Sequence, residues 1–213
     1  MKAIEKLISI ASEPLAEANS LSTRLGLNPG PVFEEIQALL DIKNGFVAFE
    51  SALVVFPATD SESVMGIDNW NEKNGWRRWY SGCIPDEVLF FAEDIFGGQF
   101  GATGSAIFRF NPETGELTKY ADSLSHWAEL MLTNYAHDTG WPLAHEWQLI
   151  HGPISPSQRL MPKRPFVLGG DYDVENLLLI DGKKAMENWG RFYQAIRAVP
   201  HGEEVALDGW LRR

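Results

Sequence analysis

Apolar positions along this chain change their period several times, and each change marks a new element. From Val32 to Leu40, Phe33, Ile36, Leu39 and Leu40 recur at helical spacing, which predicts a short helix with one buried face. Residues 2–18 also carry a helical pattern, with Pro14 as an obstacle late in the run. Asn28-Pro29-Gly30-Pro31 is a break between the two. Asn44-Gly45 predicts a turn, followed by strand-like or buried pieces at Phe46-Val47-Ala48-Phe49 and Leu53-Val54-Val55-Phe56 around Glu50-Ser51. Residues 58–75 are polar and turn-rich. Val88 to Phe91 and Ile95-Phe96 flank Glu93-Asp94, with Gly97-Gly98 and Gly101 beyond.

The clearest local element is a hairpin. Ala106 to Phe110 alternates as a strand, Asn111-Pro112-Glu113-Thr114-Gly115 supplies turn chemistry, and Glu116 to Tyr120 returns. Asp122 or Ser123 caps a following helix, whose apolar face is Leu124, Trp127, Ala128, Met131 and Leu132. Residues 138–165 hold five prolines and predict an irregular stretch, although Trp141, Trp147, Leu149 and Ile150 argue that it packs. Val174 to Ile180 predicts a strand closed by Asp181-Gly182, Ala185 to Ile196 a helix, and Val205-Ala206-Leu207 a last short strand. Strands and helices mix without strict alternation, which points to an antiparallel α+β domain rather than a doubly wound sheet.

Composition narrows the class. The 213 residues are 45% hydrophobic and 22% charged, as expected for one folded domain. Eight Trp and twelve Phe supply large buried area for a core or an interface. The longest apolar runs are strand-sized, far below the ~20 residues that cross a bilayer. The N-terminus lacks the apolar segment and cleavage site of a signal peptide. Cys83 is the single cysteine, so there is no internal disulfide. Together these predict a cytoplasmic protein. The net charge is −11, with 7 basic and 15 acidic side chains through Ser105, so the acidity sits mostly in the first half. Such a chain repels nucleic acid and anionic membranes and attracts basic partners.

Motifs for chemistry fail on spacing. His145 and His151 are six apart, whereas a helical zinc pair needs four. Gly97 to Ser105 is glycine-rich, but Gly104 stands where a phosphate loop carries Lys. Asp171, Asp173 and Glu175 open like a calcium loop, but Asn176 and Gly182 occupy the positions that require Gly and Glu. Cys83 has no basic neighbour, and the acidic pairs Glu34-Glu35, Asp86-Glu87, Glu93-Asp94 and Glu203-Glu204 point apart as solvated faces. No cofactor, metal or catalytic residue is expected.

The order of segments resembles the Smi/Knr branch of the SUKH superfamily. The matching pieces are Asn44 to Leu53, Phe90 to Phe100, Asn111 to Glu116, Trp127, Trp147-Gln148, His151-Gly152, Arg159-Leu160, Pro162-Lys163, Pro165 to Gly170 and Asn176-Leu177. The resemblance implies one SUKH-like α+β domain over 1–213, with helices packed on a mixed, largely antiparallel sheet. Its core spans about 32–208, behind an N-terminal helical extension at 1–30. It also implies a non-enzymatic, protein-binding role. Bacterial relatives are typically immunity proteins that block toxins, many of them nucleases, and fungal relatives are interaction scaffolds. A scaffold, or an enzyme with an unrecognised site, is the alternative. If the partner is a basic toxin, Asp60, Glu62, Asp68, Glu72, Asp86 and Glu87 steer it, and Trp70, Trp76 and Trp79 anchor it.

Overall fold

Five successive antiparallel pairings build one continuous meander. The computed structural model describes residues 2–17, 22, 24, 26, 29–199 and 210–211. Within them, strands β1 (Phe46–Ala48), β2 (Leu53–Val55), β3 (Leu89–Asp94), β4 (Gln99–Ala102), β5 (Ile107–Asn111) and β6 (Glu116–Ala121) pair in sequence order, every pairing antiparallel. A second sheet pairs β7 (Gln158–Pro162) with β8 (Leu177–Asp181). The helices are α1 (Lys2–Ser9), α2 (Pro31–Ile42), the short α3 (Ile67–Trp70), α4 (Leu124–Thr139), α5 (Trp141–His151) and α6 (Gly182–Arg197). The result is a single α+β domain with a largely antiparallel sheet, as the element pattern predicts.

All six residues of β3 are buried, so the meander is covered on both faces. On one face Trp127 of α4 packs edge-on against Phe91 and Phe100, with ring centroids 5.2 and 5.8 Å away. On the other, Phe90 and Phe110 meet Trp76 and Tyr80 of a 3-10 turn (Trp76–Tyr80), which α6 covers. A bulge between Phe90 and Ala92 inserts one extra residue into β3, so Phe90 and Glu93, three apart, share a face. Gly101 lies beside Phe90, whose ring takes the space a Cβ would need.

The last two charged positions of β3 point to opposite faces, and each meets a cation. Asp94 pairs with Arg109 at 3.0 Å, and Arg109 reaches Asp138 of α4 at 3.0 Å. Asp138 also accepts from the Tyr120 hydroxyl at 2.6 Å. Glu93 pairs with the buried guanidinium of Arg159 on β7 and accepts from Gln99 Nε2 at 2.9 Å.

Local departures from the sequence pattern have local causes. The N-terminal helix stops at Ser9, before Pro14, and the N–H groups of Ser12, Leu15 and Ala16 donate to the backbone at residues 44–47 instead of to preceding turns. Leu7 sits in the main core and α1 lies against α4, so this helix packs as part of the single domain. The proline-rich stretch contains a regular helix and a strand, because Pro142 falls in the first turn of α5, where a missing N–H is harmless, and Pro162 ends β7. Residues 174–176 form a 3-10 turn capped by Asp173, so β8 starts only at Leu177. The strand expected at 205–207 lies outside the described residues, as does the end of the expected core near 208. Between β1 and β2, Phe49, Glu50 and Ser51 all take positive φ (51°, 54° and 67°), a strained turn for side-chain-bearing residues. It is held by Tyr135, which stacks on Phe49 at 4.9 Å, and by Gln148 Nε2, which donates to the Glu50 carbonyl at 2.9 Å.

Replacing Arg109 by Met leaves Asp94 and Asp138 buried without their shared cation. The expected loss in urea denaturation is about 3–5 kcal/mol, with Arg109→Lys losing less. A loss below about 1 kcal/mol would show that the two carboxylates do not depend on this pairing.

Candidate partner-binding surface

The segment between β2 and β3 is fastened by its own polar side chains. Asp60 accepts from the Gly66 N–H at 2.8 Å and from Asn69 Nδ2 at 2.7 Å, which closes the 60–69 loop onto the start of α3. Gly66 is required there because a Cβ would overlap the Thr59 backbone. Asn71 is buried and acts as a piece of strand edge. Its Oδ1 accepts from Phe90 N at 2.8 Å, and its Nδ2 donates to Phe90 O at 2.8 Å. Arg77 donates to Asn71 Oδ1 and to the carbonyls of Val88 and Pro85, and burial lowers its pKa against the opposing pull of Asp86.

This framework changes the role of the aromatic cluster. Trp70 and Trp76 are only 4% and 3% exposed, so they are core residues and not surface anchors. Their indole N–H groups are already committed, Trp70 to Gln99 Oε1 at 2.8 Å and Trp76 to the Trp70 carbonyl at 3.0 Å. Trp79 is half-buried against Gly190 of α6, with the guanidinium groups of Arg78 and Arg191 over its ring at 5.1 and 5.7 Å. Tryptophan buries well, and here the core has absorbed it.

The acidic residues separate into two groups. Asp68 accepts from Ser22 Oγ at 2.6 Å and Arg24 N at 3.2 Å, while Arg24 also pairs with Glu72 at 2.5 Å. Asp86 pairs with Lys73 at 2.7 Å, which holds its carboxyl below the usual range. These charges are partly spent inside the chain. Asp60 and Glu62 are exposed, have no ion-pair partner among the described residues, and stand on the rim of a cleft of about 280 Å³. Its other walls include Trp70, Ser157, Asp181, Gly182 and Lys183, and Glu93 lies among its lining residues. Glu87 is exposed and lies outside this cleft. Met65, Trp70 and Lys183 are shared with a neighbouring cleft of about 290 Å³ that Glu72 and Trp76 also line.

Asp60 and Glu62, expected from the sequence, lie at this cleft together with Asp181 and Glu93, which the sequence did not single out for binding. Asp181 is the cap of α6, its carboxylate accepting from Lys184 N at 3.0 Å, and that capping arrangement was its only local signal. Nothing local in the sequence brings it to Asp60, more than a hundred residues away. The discarded motifs also have structural roles. Asp94 Oδ1 accepts from Phe96 N and Gly98 N at 2.9 and 2.8 Å, so amides that a phosphate loop would offer an anion are already taken. His145 pairs with Glu50, and His151 packs on the Trp147 ring. Cys83 Sγ lies 2.8 Å from the Tyr193 hydroxyl. Among the described residues, no group of three or more His, Cys, Asp or Glu is placed to hold a metal ion, and no helix is long and apolar enough to cross a membrane.

Desolvation raises the Glu93 pKa above the usual carboxylate range, against the attraction of Arg159 and the Gln99 hydrogen bond. An acid raised in this way holds its proton more tightly when folded. Its contribution to stability is fully present below the unfolded value and is lost as pH rises through the folded one. Wild type should therefore gain stability relative to Glu93→Gln as pH falls from neutrality toward the carboxylate range. Urea midpoints across that range test this, and a pH-independent difference would refute it.

No family model matches the chain, and no curated protein matches it. Among solved structures it is similar to the crystal structure of Atu4351 from Agrobacterium tumefaciens, with 12% identity, a TM-score of 0.58 and 87% of each chain covered. At that identity the likeness concerns the fold alone.

Proposed function

We propose that this chain is a non-catalytic, protein-binding inhibitor of the immunity type, which neutralises a basic toxin by occupying its surface. The observation that carries this reading is the acidic cleft rimmed by Asp60, Glu62 and Asp181. The toxin as partner comes from the resemblance to SUKH immunity proteins. On a chain of net charge −11, such a cleft attracts a basic surface at long range and receives a Lys or Arg side chain at contact. Asp68, Glu72 and Asp86 add to the field but are held by Arg24 and Lys73, so they contribute mainly to approach. Trp70 and Trp76 contribute through the stability of the cleft wall.

The test begins with the tagged full chain as bait in lysate from its native host, washed at two salt concentrations. One stoichiometric partner, toxic when expressed alone and tolerated when co-expressed with this chain, is the expected result. Glu62→Lys should then weaken binding about tenfold and flatten its salt dependence. Recovery of several unrelated housekeeping proteins would favour a scaffold instead, and an affinity unmoved by Glu62→Lys would remove the cleft from the interface.

A further inference from the structure

Among the described residues the outer edge of β8 is open. Leu160 N donates to Ile95 O, away from β8, while Gly182 N donates to Ser157 O and Lys163 N to Asn176 O. With Leu160 opposite Leu179 in the register, the even-numbered residues of β8 face β7, and the odd-numbered ones turn their N–H and C=O groups outward. Leu177 N is taken by Val174 O. The outward groups of Leu179 and the Asp181 N–H have no partner among the described residues. The strand reads Leu177-Leu178-Leu179-Ile180, without the proline, inward charge or bulge that usually protects an edge. A groove of about 470 Å³ runs beside it, walled by Trp147 and Lys184. Ile150, on the same helical face as Trp147, is 60% exposed.

We propose that this edge pairs with the same edge of a second copy, antiparallel about a two-fold axis at Leu179. The argument for a second copy is charge. Asp173 and Glu175 are exposed just before β8, and Lys183 and Lys184 are exposed just after it. An antiparallel two-fold brings the 3-10 turn that carries Glu175 of one copy to the first turn of α6, with Lys183 and Lys184, of the other, so acid meets base at both ends of the pairing. Neither Glu175 nor Lys184 has an ion-pair partner among the described residues. In this register Leu179 exchanges two hydrogen bonds with its symmetry mate, and each Asp181 N–H donates to the Leu177 carbonyl opposite, about four bonds in all. The half-buried Leu178 and Leu179 gain cover on the two faces of the extended sheet. The edge and the acidic cleft share Asp181, and Lys183 lies at both, so the inhibitor reading is tested at Glu62, which lies away from the edge, and this one at Glu175 and Lys184, which lie outside that cleft.

Sedimentation equilibrium of the full chain between about 1 and 100 µM tests it, a range set by micromolar association. A dimer is expected. Lys184→Glu, which sets like charges together twice, should raise the dissociation constant about tenfold, and Glu175→Lys combined with Lys184→Glu should restore it. Both positions are exposed, so this cycle stands even if Leu179→Pro, which deletes the central donor, disturbs folding. A chain that stays monomeric throughout, leaving the edge to a foreign strand, overturns the proposal. So does a dimer indifferent to Lys184→Glu.

Discussion

Two consecutive carboxylates at the end of a fully buried strand impose the main constraint on this fold. Neighbouring strand residues face opposite ways, so Glu93 and Asp94 cannot share a counter-ion. Each takes its own. Arg159 arrives from β7 on one face, and Arg109, itself braced by Asp138 of α4, arrives on the other. Leaving either acid unpaired in that environment would cost several kcal/mol. The positions of the small sheet and of the long helix are therefore electrostatic requirements as well as packing results. The bulge in β3 sets which carboxylate meets which arginine, because it shifts the alternation by one residue.

The same constraint ties the acidic cleft to the interior. Glu93 accepts from Gln99, and Gln99 accepts from the indole of Trp70, which also forms part of the cleft wall. A chain of hydrogen bonds thus runs from the buried ion pair to a residue lining the concave surface. The rim carboxylates Asp60 and Asp181 are fixed too, since each accepts hydrogen bonds from backbone N–H groups. A rim held in this way presents its charge with little side-chain freedom left to lose on contact.

Much of this architecture was legible from local pattern. The β5–β6 hairpin announces itself through Asn111 to Gly115, Ser123 caps α4, accepting from His126 N at 3.1 Å, and the α2 face follows from helical spacing. Pro142 misleads because the first turn of a helix tolerates what its interior does not. The aromatic segment from Trp70 to Tyr80 misleads for a different reason. Tryptophans among Arg and Asn resemble an interface, and only the tertiary partners Phe90, Gln99 and Phe110 reveal a core. For the candidate site, charge in a polar, turn-rich segment pointed to Asp60 and Glu62. Asp181 and Glu93 join them through the tertiary contact of β7 with the end of β3, which leaves no trace at the level of neighbouring residues.

The meander also determines the order in which the protein can assemble as it is synthesised. Every strand from β1 to β6 pairs with its sequence neighbour, so apart from the long connection between β2 and β3 the large sheet needs only short loop closures and can zip up as the chain lengthens. Arg159 and α6 come late. A nascent chain that ends before them has a finished sheet whose aromatic 3-10 turn at Trp76–Tyr80 lacks its cover and an acid awaiting its counter-ion. Such half-built intermediates are the forms most prone to aggregation and to capture by chaperones. The interval between β6 and α6 is therefore the vulnerable stage in the life of this molecule, and slowing translation there would prolong it.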